Sequence, residues 1–142
     1  MNYILRDLSQ DKEYQKFSNF CKKNYSDNNK IKSPITLSGI VCVAKSAIIA
    51  LTQNEEKKPI LIVTYNELQA QKLSKDLQYF CDNVMLFPKR EIAIYDYDAE
   101  SNDIIYNRID VLNKIMQNKA PIIITTIEAL MQKMPAKEDL YN

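Results

Sequence analysis

Ile60-Leu61-Ile62-Val63-Thr64, followed by Tyr65-Asn66-Glu67, is the stretch on which the fold turns. Five aliphatic or β-branched residues in a row predict a strand. The run does not alternate with polar residues, the pattern of a strand buried on both faces of a parallel sheet. Asn66 offers a side-chain oxygen to the first free N–H groups of a helix. A helix is therefore expected from Glu67 to Phe80, with Leu73, Leu77 and Phe80 on one face.

The same alternation extends in both directions. Upstream, Ile35 to Ser38 is a predicted strand and Ala44 to Gln53 a predicted helix. Downstream, Val84 to Phe87 is a third strand, stopped by Pro88. Ser101 or Asn102 caps a helix whose expected inward stripe is Ile105, Ile109, Leu112 and Met116. Pro121 to Thr125 is a fourth strand. Thr125 and Glu128 have capping-box spacing for a short helix ending near Pro135. Strands and helices in strict succession imply an α/β fold, a parallel sheet flanked by helices. The working edge of such a sheet lies at the carboxyl ends of its strands, here Gly39, Thr64, Phe87 and Thr125.

The amino-terminal part reads differently. Tyr14, Phe17, Phe20 and Cys21 fall at helical spacing after a cap at Ser9, and Asn24 to Lys32 is a polar, asparagine-rich linker. The expected division is residues 1–33 as helix and linker, 34–135 as the α/β domain, and 136–142 as the start of a link to a next domain.

Composition narrows the chemistry. The chain of 142 residues suits one core, and 46% apolar residues are enough to fill it. Nineteen basic residues against 18 acidic ones leave no clustered excess for nucleic acid. Histidine is absent, which excludes Ser-His-Asp and Cys-His catalysis and histidine metal ligands. Cys21, Cys42 and Cys81 have no CxxC spacing and read as reduced thiols of a cytoplasmic protein. No apolar run is long enough for a signal peptide or a membrane span.

One segment resembles a motif. Gly39-Ile40-Val41-Cys42-Val43-Ala44-Lys45-Ser46 has the frame of a phosphate-binding loop, GxxxxGK[ST], with alanine for the second glycine. In that frame Lys45 would reach terminal phosphates and Ser46 would hold magnesium. A phosphate cradle needs inward-turned N–H groups and unusual backbone angles. Val41, Cys42, Val43 and Ala44 place Cβ atoms there, at about 1–2 kcal/mol for each L-residue forced into left-handed geometry. Gly39, Lys45 and Ser46 are therefore expected to be a vestigial nucleotide site. Asp96, Asp98, Glu100 and Asp103 fail the calcium-loop template and read as a solvated loop before a helix. Tyr95 and Tyr97 read as packing residues, and Lys89 and Arg90 as ordinary surface. No catalytic or metal-binding residue is assigned.

The order of the segments from Pro34 to Pro135 resembles the first domain (domain 1a) of transcription-repair coupling factors, the Mfd family. More distantly it is similar to the first domain of the excision-repair protein UvrB. The resemblance rests on Leu37-Ser38-Gly39 entering the degenerate loop, and on Leu61-Ile62-Val63-Thr64 with Leu68, Ala70, Leu73 and Asp76-Leu77. It continues through Leu86-Phe87-Pro88 with Glu91 and Tyr95, Asn107-Arg108 with Val111-Leu112, and Ile122-Ile123-Ile124-Thr125-Thr126 with Ala129-Leu130-Met131-Gln132 and Pro135. Tyr95-Asp96-Tyr97 runs into the next helix without room for the damage-probing hairpin of UvrB, which favours the coupling factors. The resemblance implies a degenerate P-loop NTPase (RecA-like) lobe, itself without catalysis or cofactor. It implies a full-length protein that uses ATP and magnesium in a separate helicase motor, displaces RNA polymerase stalled at DNA lesions, and recruits UvrA through the adjacent domain. The partners expected for this lobe are the remaining domains of the same protein. The rival expectation is a working ATP-binding lobe of a UvrB-like repair helicase.

Overall fold

In the computed structural model, residues 3–26, 34–90, 102–117, 119 and 121–134 are described. The elements run α1 (Tyr3–Gln10), α2 (Lys12–Ser26), α3 (Cys42–Glu56), β1 (Ile60–Thr64), α4 (Glu67–Gln78), β2 (Val84–Phe87), α5 (Asn102–Met116), β3 (Ile122–Thr126) and α6 (Ile127–Met131). The three strands form a parallel sheet in the order β1-β3-β2. Ile122 of β3 sits between Ile60 and Val84, and Ile124 between Ile62 and Leu86.

The register sorts the side chains by parity, because successive residues of a strand point to opposite faces. Ile60, Ile62, Ile122, Ile124, Val84 and Leu86 pack against Ala47, Ala50 and Leu51 of α3 and Ala70 and Leu77 of α4. Leu5 of α1 and Tyr14 of α2 belong to that same cluster, so the amino-terminal helices lie on the α/β core. The opposite face gathers Met85, Phe87 and Ile123 with Val111 and Leu112 of α5 and Ala129 of α6.

Local caps set the helix ends. Asn66 accepts the Gln69 N–H at 2.9 Å, as its position predicts. Lys57 closes α3 in the left-handed region (φ 50°) and donates its N–H to Gln53 at 2.8 Å. At the amino terminus, Asp11 and not Ser9 is the cap. Its carboxylate accepts from the N–H groups of Glu13 and Tyr14, while the Ser9 hydroxyl donates back to Arg6. The expected helix is α2, starting after Asp11, and α1 before it is a helix the sequence reading did not include.

Four further expectations are corrected. Ile35 to Ser38 is no strand, and the described sheet has three strands. β1 is not covered on both faces: Leu61 is 56% exposed and Val63 48%, because α5 and α6 cover β2 and β3 on that side. α5 is rotated about its axis. Arg108, Val111 and Leu112 face the sheet, while Ile109 is 40% exposed. A count of apolar residues alone cannot include an arginine in the inward stripe. The last helix is capped one residue later than expected, by Thr126, which accepts from Ala129 N–H at 3.2 Å. Residues 27–33, 91–101 and 135–142 lie outside the described residues, and with them most of the linker, Tyr95-Asp96-Tyr97, the acidic loop and Pro135.

Two outcomes test this arrangement. Ile124→Ala should cost about 2–5 kcal/mol in chemical denaturation, against about 1 kcal/mol or less for Leu61→Ala. Burial, opposed in part by Thr52 and reinforced by the Glu55 carboxylate, pushes the Tyr14 phenol up to about 12 from its ordinary 10.0. The unfolded chain then ionises Tyr14 first, so the stability this phenol confers is intact below the ordinary value and is lost between the two. Denaturation midpoints of the parent chain should fall relative to those of Tyr14→Phe as pH rises through that interval.

Candidate functional site

The carboxyl edge of the sheet is closed by its own threonines. Thr64 Oγ1 lies 3.0 Å from the Asn66 carbonyl and 3.1 Å from the Thr125 carbonyl, the two acceptors sharing its one proton. Thr125 Oγ1 donates to the Phe87 carbonyl at 2.9 Å. Thr126 caps α6. These hydroxyls are engaged with backbone groups.

The sequence-predicted residues are placed as follows. Gly39 has φ +73°, the left-handed region that glycine reaches at little cost, and a Cβ there would meet nothing within 4 Å. Val41 is extended and gives α3 no side-chain cap. The helix begins at Cys42, so the positions that would wrap a phosphate are helical. The Lys45 N–H is already bonded to the Val41 carbonyl at 3.2 Å. Lys45 is exposed, but Ser46 on the next position is fully buried, and its hydroxyl has no hydrogen-bond partner. The three residues are neighbours in chain without converging on one point.

Beside them lies a cavity of about 540 Å³ between the segment that precedes α3, α3 itself, β1 and α4. Leu37, Ile40, Ile48, Ile49, Ile62 and Leu73 are among its apolar lining residues. Lys45, Lys72 and Asp76 supply its charge. Sequence reasoning found Lys45 only. Lys72 and Asp76 sit on a helix whose apolar stripe is elsewhere, so periodicity gave no signal for them.

A second polar arrangement joins β2, α5 and α6. Arg108, 6% exposed, lays its guanidinium over the Phe87 ring at 4.1 Å and donates to the Pro88 carbonyl at 2.7 Å. It also donates to Gln132 Oε1 at 3.3 Å. Gln132 Oε1 accepts the Arg90 N–H at 2.7 Å, and Gln132 Nε2 donates to the Arg90 carbonyl at 2.8 Å. Burial, and then the charge of Arg90, lowers the Arg108 pKa. Lys89 pairs with Glu128 at 3.1 Å.

Among the described residues no group of three Cys, Asp or Glu side chains could hold a metal ion. Cys21 and Cys81 are half-buried, and burial raises both thiols, Glu56 and Asp82 adding to the effect. Reactive cysteines have the opposite shift. Among the described residues no helix is long and apolar enough to cross a membrane.

The class is defined by comparison with known proteins, the curated relatives being named as transcription-repair-coupling factors. The chain is 31% identical over 104 residues to the transcription-repair-coupling factor of Bacillus subtilis strain 168, covering 72% of this chain and 9% of that protein. It is 28% identical over 98 residues to that of Staphylococcus haemolyticus (68% and 8%), and 25% identical over 123 residues to that of Staphylococcus aureus (84% and 10%). The chain belongs to the transcription-repair coupling factor family and corresponds to an amino-terminal segment of it. It spans about a tenth of the length of the curated relatives it matches. No family model matches the chain, and no solved structure does.

Ser46→Ala removes a buried hydroxyl that has no partner, so it should leave stability unchanged or raise it by roughly 1 kcal/mol. Thermal and urea denaturation measure this, and a clear loss would mean that the hydroxyl is bonded in solution.

Proposed function

We propose that this chain is a non-catalytic lobe of a transcription-repair coupling factor, built on the plan of a P-loop NTPase but without its phosphate site. The observation that carries the reading is the start of α3 at Cys42. Helical backbone occupies the positions of the cradle, and the Lys45 N–H is spent on Val41. ATP and magnesium do not fit these residues. Ser46, the only hydroxyl at the magnesium position, is sealed in the core at 0% exposure.

In this reading the lobe packs against the remaining domains of the same polypeptide. UvrA is reached through the adjacent domain, and RNA polymerase and DNA through others. The full-length protein couples ATP hydrolysis in a separate motor to displacement of stalled polymerase and to excision repair in the cytoplasm. Support for this comes from the relatives named above and from the length of protein that lies outside the matched region.

Titration of the chain with a fluorescent ATP analogue and magnesium should give no saturable signal, with Lys45→Ala indistinguishable from the parent. Saturable binding that Lys45→Ala abolishes would establish the rival, a working ATP-binding lobe of a UvrB-like helicase. A DNA mobility shift at low salt should likewise be absent, since phosphate contacts are strongest there.

A further inference from the structure

The two amino-terminal helices meet the rest of the fold across a polar seam. α1 and α2 pack chiefly against each other and against α3. Among their described side chains only Leu5, Tyr14 and Ser18 are buried, and two of those three carry hydroxyls. The Tyr14 hydroxyl is sealed from water without a hydrogen-bond partner. Burial raises its pKa, and Thr52 and Glu55 of α3 are the groups close enough to act on it as hydrogen-bonding neighbours. Both are already engaged. Thr52 Oγ1 donates to the Ile48 carbonyl at 2.8 Å, and Glu55 Oε2 accepts from Ser18 Oγ at 2.6 Å and pairs with Lys22 Nζ at 3.4 Å. A cavity of about 240 Å³ lies at the same seam, with Tyr14, Ser18, Lys22 and Glu55 in its lining.

We infer that α1 and α2 form a strap that lifts off α3 as one unit while the sheet stays folded, with Glu55 as its latch. A buried hydroxyl without a partner gives up its bonds to water and gains none, so closing the strap costs free energy at this seam. Lifting it returns Tyr14, Ser18 and Glu55 to water, which offsets part of the apolar contact that Leu5, Leu8 and Phe17 give up. The sheet does not need the strap to hold: β3 keeps β1 and β2 on its flanks, with α3 and α4 on one face and α5 and α6 on the other. Segments joined to a fold by few buried apolar side chains open at lower free energy than its core. Glu55 is the latch because one carboxylate receives both Ser18 and Lys22 of α2. The strap thus sets whether that side of α3 is covered, without unfolding the lobe. The inference goes beyond the reading of a non-catalytic lobe and does not depend on it, since the seam is the same whether or not Lys45 meets a nucleotide.

Amide hydrogen exchange of the full chain, read residue by residue at neutral pH and at rising urea below the unfolding transition, tests this. The slowest amides of α1 and α2 should share one opening, exchange about tenfold or more faster than those of Ile122 to Ile124, and respond less steeply to urea. Glu55→Ala should speed exchange throughout α1 and α2 by about tenfold and leave Ile122 to Ile124 unchanged. Tyr14→Phe keeps the ring and removes the unpartnered hydroxyl. It should slow exchange in α1 and α2 by roughly threefold, again without effect on β3. A shift of opposite sign from two substitutions at one seam is not what a general loss of folding gives. The inference is overturned if α1 and α2 exchange in step with Ile122 to Ile124 at every urea concentration, or if α1 and α2 open separately. It is equally overturned if Glu55→Ala leaves the two helices unchanged or speeds β3 as much. Faster exchange in Tyr14→Phe would show that the phenol is bonded in solution, and that too would remove the ground for the strap.

Discussion

Ile122, Ile123 and Ile124 form the centre of β3, and the rest of the described fold depends on burying both of its faces. Ile122 and Ile124 are fully buried against α3 and α4, while Ile123 meets Phe87, Val111 and Ala129 on the other side. A strand apolar on both sides has to be central, which forces β1 and β2 to its flanks. Right-handed crossovers then place α4 and α5 on opposite faces. Even the amino-terminal helices answer to this constraint, since Leu5 and Tyr14 extend the cluster that begins at Ile122.

Much of this was legible in the residues. Ile60 to Thr64, Val84 to Phe87 and the 122–126 strand are dense in β-branched or aliphatic side chains, and local density needs no tertiary knowledge. The Asn66 cap is a contact within four residues, and it too could be read. What escaped was set by position in the sheet. Nothing local distinguishes β1, with one face open, from β3, with both closed: each is a five-residue run of aliphatic and β-branched residues. Likewise Ile35 to Ser38 has strand composition but no neighbour among the described residues with which to pair.

The candidate site was legible in part for the same reason. Gly39 is the only glycine of the chain, and its left-handed φ follows from the turn that precedes α3. The expectation of a crowded loop rests on Val41, Cys42, Val43 and Ala44, whereas the start of α3 at Cys42 is a cooperative choice of the whole segment that no single residue announces. Arg108 and Gln132 lay inside the segments that carried the family resemblance without receiving a role. Their contacts are separated by 20 to 42 positions in the chain, beyond any local pattern.

Gln132 has a consequence for how this surface can drift over generations. Its amide gives one donor and one acceptor to the main chain of Arg90, in effect a strand one residue long. Glutamate keeps the shape but loses the donor, methionine loses both, and asparagine is too short by a methylene. A site answering to a single side chain changes slowly even where no ligand binds, so invariance at this position would report carpentry and not chemistry.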